Sequence, residues 1–233
     1  MSVTDAQFPN LDHDVVEGYR NAPENMVAEI LAGVLSRMPR PRPSHAGAAS
    51  APGEELGPPF RRGRGGPGGW VLLDEPELHL GAMPDMVVPD LAGWHRSRLP
   101  ASVFDAGAPA AIAVAPDWVC EVLSPSTEAI DRAEKMPIYA RERVSHAWLL
   151  DPELRTPEVF RLEGARWVMA AVFRGDAAVR AEPFDAIELE LGALCSRSGD
   201  AGHLEHNSSP KRLPRPPPRA RGALRSSRDG RRV

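Results

Sequence analysis

The sequence predicts an α/β (α+β) domain, a mixed central sheet flanked by helices, and three observations carry that reading. DWVCEVL, residues 117–123, is a run of β-branched, aromatic and aliphatic residues with few polar ones, as in a buried strand. SPST follows at once, a strand-to-helix corner with several candidate N-caps, and residues 127–143 then have helical composition. Hairpin patterns stand near both ends, so the order is hairpin, helix, strands, helix, strand, hairpin.

Taken in order, residues 1–23 are polar without a clear period and read as a leader or a short capping helix. Residues 27–38 place apolar residues on either side of a turn at Ala32-Gly33, a hairpin. Ser44 offers a cap for the next helix, which Pro52 should kink or shorten. GRGGPGG, residues 63–69, lacks the GK[ST] ending of a phosphate loop and precedes a strand instead of following one; it reads as a flexible connector. WVLLDEPELHL is the next strand, and residues 86–88 form a short one. Residues 92–109 are rich in turn formers and read as a mobile stretch. Pro137 must kink or restart the helix after SPST. HAWLLD is a strand, PEVFRL and ARWVMAAVF pair across Glu163-Gly164, and FDAIELELGAL closes the domain with a short strand or helical turn.

The 233 residues suit one domain with tails, and 42% hydrophobic and 26% charged content is ordinary for a globular chain. From Ser196 onward Arg, Pro, Ser and Gly dominate, a composition that cannot bury enough apolar surface to fold. The expected division is therefore a leader over 1–23, a folded domain over 24–195 and a disordered basic tail over 196–233. No apolar run is long enough to span a bilayer, and no basic segment followed by an apolar one opens the chain; a cytoplasmic protein without a membrane partner is expected. Cys120 and Cys195 form no CxxC pair and are expected to be reduced thiols. The net charge of −4 divides into about +7 on the tail and −11 elsewhere. An acidic body suits a polyanion poorly unless some carboxylates hold a cation.

Glu121 lies inside the apolar VCEVL strand, where a carboxylate is costly unless paired or bound to a cation. Asp85 follows Pro84 at the start of another strand. Two carboxylates on adjacent strands can grip one Mg²⁺, which keeps waters and phosphate oxygens as its other ligands. Lys135, on the helix after SPST, can orient a water or neutralise charge developing on phosphorus. Residue types and spacing equally allow a structural pairing of Glu121 with Lys135 or an arginine, and an Asp131–Lys135 pair one helical turn apart. His45 can shuttle protons, touch phosphate or simply be exposed. Ser124 and Ser126 lack a nucleophile elbow and read as caps. His203 and His206 lack further ligands for a metal site. The tryptophans read as core, except Trp94: WHRSR is an exposed basic-aromatic patch, either a contact for a nucleic-acid backbone or a solvated loop.

PDMVV, PDWVCEVLSPST and DRAEKMPIYARERVSHAWLLDPELRTPEVFRL together resemble the Uma-two family of restriction endonucleases, within the PD-(D/E)xK nuclease superfamily, and the resemblance spans residues 27–194. AEILAGVL and PRPSH resemble the family's first hairpin and helix start more loosely. The resemblance implies a restriction-endonuclease-like mixed sheet flanked by helices, Mg²⁺ or Mn²⁺ as cofactor, and hydrolysis of DNA phosphodiesters. By position it implies Asp85 and Glu121 as metal-binding carboxylates, the Val122 carbonyl as a further ligand, Lys135 as the catalytic lysine and Glu29 as an assisting acid. Leu123 stands where the standard motif has its lysine, so the helix would supply it. Pro52 within the first helix and GVL in place of GEL depart from the pattern, and the tail has no counterpart in it. A homodimer is compatible with such chemistry. The alternative is a catalytically weak module that keeps the fold to bind nucleic acid or protein.

Overall fold

The computed structural model describes residues 8, 10–82 and 84–194. Helix α1 (His13–Arg20) leads to strands β1 (Met26–Leu31) and β2 (Val34–Pro39), then α2 (Pro43–Leu56), which runs into a π-helical turn at Gly57–Arg61. Strands β3 (Trp70–Asp74), β4 (Leu78–Leu80), β5 (Asp85–Val87), β6 (Leu91–His95) and β7 (Trp118–Val122) follow. Helix α3 (Glu128–Ile130), a π-helical turn (Asp131–Lys135) and α4 (Met136–Arg141) carry the chain to β8 (His146–Asp151). The domain closes with β9 (Thr156–Glu163), β10 (Arg166–Val172), β11 (Ala178–Val179), β12 (Leu189–Glu190) and α5 (Leu191–Leu194).

The mixed sheet expected from the sequence is present: six strands in the order β10-β9-β8-β7-β6-β3, with β7 and β8 parallel and the other neighbours antiparallel. A parallel pair needs a crossover, which α3, the π turn and α4 provide. A second sheet, β2-β1-β5-β4, is antiparallel, and β11 pairs with β12.

Alternation along the strands builds the layers. Trp118, Cys120 and Val122 of β7 join Trp70, Leu72, Trp148 and Leu150 in a core closed by Ala48, Leu56, Phe60 and Phe184. Val119 and Leu123 face the other way, into a core shared with Leu31, Leu78 and Val87 of the small sheet and Met136, Ile138 and Tyr139 of α4. Glu121 lies between Val119 and Leu123 in the alternation, so its carboxylate is directed into this second layer, between the two sheets. On its outer face the small sheet buries Ile30 and Met86 against Phe8 and Val16. The N-terminal stretch therefore supplies a packed helix, capped by Asp12, which accepts from Asp14 N at 2.8 Å.

Local chemistry accounts for most boundaries. Ala32 and Gly33 take φ of 51° and 82°, the pair of positive values that a two-residue hairpin turn demands. Both π-helical turns accompany prolines, Pro58 and Pro59 in one and Pro137 just after the other. A proline removes an N–H and crowds the carbonyl four residues back, and a widened turn relieves that crowding.

Several expectations need correction. α2 starts with Pro43 at its first position and an uncapped Arg42 before it, so Ser44 is inside the first turn and is no cap. Of the kink or shortening expected at Pro52, shortening does not occur: α2 runs on to Leu56, with Pro52 buried beside Ala48, Ala51 and Leu56. WVLLDEPELHL is two strands in different sheets, broken at Glu75 with φ 43°. The stretch expected to be mobile begins with β6, whose Leu91, Ala92 and Trp94 are buried. After SPST, Thr127 holds the cap position without a side-chain bond, and the Ser124 hydroxyl meets Ser126 and Thr127 instead. Cys195, His203, His206 and the basic tail lie outside the described residues.

Phe184 meets Phe60, Trp70, Trp118 and Trp148 with ring centroids 4.7–5.5 Å apart. Phe184→Ala empties this aromatic hub and is expected to lower stability by about 3–5 kcal/mol, read as a drop in the urea midpoint with unchanged slope.

Candidate active site

The side chains that gather around Glu121 come from both sheets and the crossover. Leu91 pairs with Cys120 and Ala92 with Val119 in the antiparallel register, so Asp90, just before β6, stands opposite Glu121. The two are linked through the backbone: Val122 N donates to Asp90 Oδ2 at 2.6 Å, and Asp90 N approaches Glu121 Oε2 at 3.4 Å. β1 supplies Glu29, whose Oε1 accepts from Val88 N at 2.7 Å. The π turn supplies Asp131 and Lys135, and α4 supplies Tyr139, whose hydroxyl donates to Glu121 Oε1 at 2.5 Å.

Lys135 is at the centre. Its Nζ lies 3.3 Å from Glu29, 3.4 Å from Asp131 and 3.5 Å from Glu121, and it donates to the Val88 carbonyl at 3.2 Å. Glu29, Glu121, Asp131 and Lys135 are all buried, whereas Asp90 is only partly so. On the Asp90 side His45, at the start of α2, donates from Nε2 to the Val122 carbonyl at 2.7 Å.

Four carboxylates share one ammonium, and the electrostatics record the shortage of positive charge. Burial holds the Glu121 carboxyl well above its ordinary value; Lys135 pulls it down, while Asp131 and Asp90 push it up. Burial likewise raises Glu29 and Asp90, against the attraction of Lys135 in the first case and His45 in the second. Burial also opposes the charge on Lys135, yet the fields of Glu121, Glu29, Asp131 and Asp90 outweigh it and raise its affinity for the proton. Lys135 therefore stays charged, and the surplus carboxylate charge has to be balanced by protons or by a further cation.

Glu29, Glu121 and Lys135, all singled out in the sequence, are brought together; Asp85 is not. Asp85 is buried at the Ala32-Gly33 turn, where Oδ1 accepts from Ala32 N at 2.5 Å and Oδ2 pairs with Arg141. Lys135 and Arg141 are at opposite ends of α4, six residues or roughly 9 Å apart. Asp85, implied by the resemblance as co-ligand of Glu121, shares no hydrogen-bond or ion-pair partner with it among the described residues. A cleft of about 380 Å³ opens at this far end, lined by Leu11, Ala32, Gly33 and Arg141 among others, away from the acidic cluster. The Val122 carbonyl, implied by the resemblance as a further metal ligand, accepts from His45.

Asp90 takes the place that Asp85 was expected to fill. MPDMVVPDL holds two Pro-Asp pairs, and the second stands directly before the strand that neighbours β7. Reading 92–109 as a loop hid that strand and, with it, the significance of Asp90. Asp131 and Tyr139 stand four residues either side of Lys135, a spacing that puts all three on one helical face. WHRSR is also corrected: Trp94 is fully buried with its Nε1 donating to Val114 O at 2.9 Å, and Arg98 pairs with Asp117.

The mixed sheet thus carries acidic side chains at two neighbouring strands and receives a lysine from the crossover. The chain belongs to the Uma2 family, described as "putative restriction endonuclease", whose model matches residues 16–192. Among solved structures, one described as a "putative nuclease belonging to DUF820", from Anabaena variabilis ATCC 29413, is similar in fold with a TM-score of 0.59. It is 21% identical, and the match covers 78% of this chain and 96% of that one. No curated protein matches the chain.

Glu29, Asp90 and Glu121 bind protons more tightly folded than unfolded, so the folded state holds the greater number once the pH passes the ordinary 4.5, 3.8 and 4.5. Their contribution to stability therefore falls as the pH rises through that range toward each raised value. In EDTA, wild-type stability relative to Glu121→Gln is expected to decline as the pH rises above about 4.5 in paired denaturation series, the sign linkage requires. A constant or rising difference would mean that Glu121 is ionised throughout. Lys135→Met, which strips the carboxylates of their cation, should cost about 3–5 kcal/mol near pH 7.

Proposed function

We propose that this domain is a divalent-metal-dependent nuclease that hydrolyses DNA phosphodiester bonds, with Asp90 and Glu121 as its metal-binding carboxylates. The observation that carries the proposal is the buried cluster of four carboxylates around one ammonium, with Asp90 partly exposed at its rim.

The residues fit Mg²⁺ or Mn²⁺. The donors are all oxygen, as hard cations require, and Glu29 Oε2 is a buried acceptor without a hydrogen-bond partner. Among the described residues no three His, Cys, Asp or Glu side chains form a ready cage. Mg²⁺ does not ask for one: one or two carboxylates suffice, with waters and substrate phosphate oxygens completing the shell. Bound there, such an ion would supply Lewis-acid stabilisation of the phosphoryl charge and a more acidic water.

The chain's own groups have separable duties under this reading. Asp90 and Glu121 bind the ion from adjacent strands. Tyr139 fixes one oxygen of Glu121 through its hydroxyl and leaves the other toward Asp90 N and Lys135. Lys135 balances charge and holds Glu29 and Asp131 in place; its 3.5 Å approach to Glu121 is the longest of its polar distances and the easiest to give up to a water. His45 orients the end of β7 through the Val122 carbonyl. Asp85, paired with Arg141, joins the hairpin to α4 and takes no part in the chemistry.

A second reading, a weakly active module that binds without cutting, draws on one observation: Lys135 already partly satisfies Glu121 and Glu29, so a cation must displace or share with an ammonium. Cleavage of plasmid, single-stranded and structured DNA with Mg²⁺ or Mn²⁺, beside calorimetric titration of each metal, separates the two. Under the nuclease reading, Asp90→Asn and Glu121→Gln each lose about 100-fold or more in cleavage and weaken metal binding, whereas Tyr139→Phe costs roughly 10-fold. Asp85→Asn should retain metal-dependent cleavage once its folding is verified by circular dichroism. Loss of activity in Asp85→Asn with full activity in Asp90→Asn would reverse the assignment.

A further inference from the structure

From the arginines at the far end of β6 we infer a docking surface for the sugar-phosphate backbone of duplex DNA, separate from the acidic cluster. The inference rests on the nucleic-acid reading above and adds to it where the duplex lies.

Arg61, Arg62 and Arg64 sit on the π turn and the glycine-rich segment after it; Arg96 follows β6. All four are exposed, and none has an acidic partner among the described residues. They form one surface because Arg96 joins them: its guanidinium donates to Arg61 O at 3.3 Å and Trp70 O at 3.1 Å, and its amide to Gly69 O at 2.7 Å. The backbone beneath is pinned. Arg62 N, Arg64 N and Gly68 N donate to the carbonyls of Gly57, Pro58 and Pro59 at 2.8–3.1 Å. Gly63, Gly65, Gly68 and Gly69 hold positive φ, which lets the chain fold back on itself: a Cβ on Gly68 would lie 3.3 Å from Gly63 Cα. The segment expected to be a flexible connector is thus a hydrogen-bonded loop, and its guanidinium groups start from a fixed base, which lowers the entropic cost of binding.

Charge and distance identify the partner. Outside its tail this chain is strongly acidic, yet four exposed cations are grouped here without an ion-pair partner among the described residues. Arginine on an ordered backbone suits phosphate oxygens, which it can engage in bidentate fashion. From Asp90 to Arg96 the chain advances six residues along a strand, about 20 Å. That equals roughly six base-pair steps at 3.4 Å each along a DNA strand. β3, the neighbour of β6, is an edge strand of the six-stranded sheet, so no further strand of that sheet bars a duplex from this side.

The test measures binding of a 20-base-pair duplex to the full chain in EDTA, by fluorescence anisotropy over a range of salt concentrations. Removing Arg61, Arg62 and Arg64 together (each to Ala) should weaken binding and reduce the slope of log K against log salt by about 2–3, since each neutralised phosphate adds close to 0.9 to that slope. Arg166→Ala/Arg174→Ala, a charge control at the opposite edge of the sheet, should leave the slope near wild type. A slope unchanged in the triple variant, an equal change in the control, or no duplex binding by the wild type would each overturn the inference. The triple variant's melting temperature, expected to match wild type, excludes unfolding as the cause; a lowered one directs the comparison to Arg→Gln replacements, which keep length without charge and must reduce the slope equally, an unchanged slope there overturning the inference. Because no cleavage occurs in EDTA, a protein that docks DNA here but never cuts it would fail the nuclease reading alone. One that cuts DNA while the triple variant binds normally would fail this inference alone.

Discussion

The site depends on a single ammonium inside an acidic cluster. Gathering four carboxylates between two sheets, three of them buried, would be prohibitive without Lys135, and one cation does not neutralise them. Burial and the remaining negative charge raise the proton affinity of Glu121; under the nuclease reading a divalent ion would balance that charge instead. Under that reading structure and chemistry share one cause: the charge imbalance left by burial is what a bound ion would relieve.

Each participant is placed by an ordinary element. Period-two alternation sends Glu121 toward the small sheet while its neighbours Cys120 and Val122 pack against α2. Antiparallel register brings Asp90 alongside it. The parallel β7–β8 pair requires a crossover, and the crossover carries Asp131, Lys135 and Tyr139 on one face. No irregular scaffold is needed beyond the widened turn ahead of Pro137, which falls where the lysine is delivered, in keeping with the frequent appearance of π segments at functional positions.

Much of this was legible in the residues. The apolar setting of Glu121 announced that its carboxylate needed a partner, and Lys135 fell at a distance the crossover could span. Glu29 too was found, through resemblance, and the first hairpin followed from its turn. What stayed hidden was long-range. The choice between the two Pro-Asp pairs depends on which strand neighbours β7, and LAGWH has little of the β-branched content that marks a strand on its own; Gly93 is there because Leu72, Trp118 and Trp70 leave 3.0–3.3 Å for a Cβ. At Pro52 the cost of a proline is local and legible, whereas the burial with Ala48, Ala51 and Leu56 that lets α2 run past it is not.

The clasp between Asp85 and Arg141 has a consequence for how such a chain can vary. α4 is fastened at both ends, by Lys135 to the acidic cluster and by Arg141 to the first hairpin. One residue inserted between them would rotate the second anchor by about 100° and advance it 1.5 Å, parting it from its aspartate. Length along this helix is therefore under tighter restraint than identity: side chains facing outward can be exchanged freely, but the interval from lysine to arginine cannot grow or shrink by one.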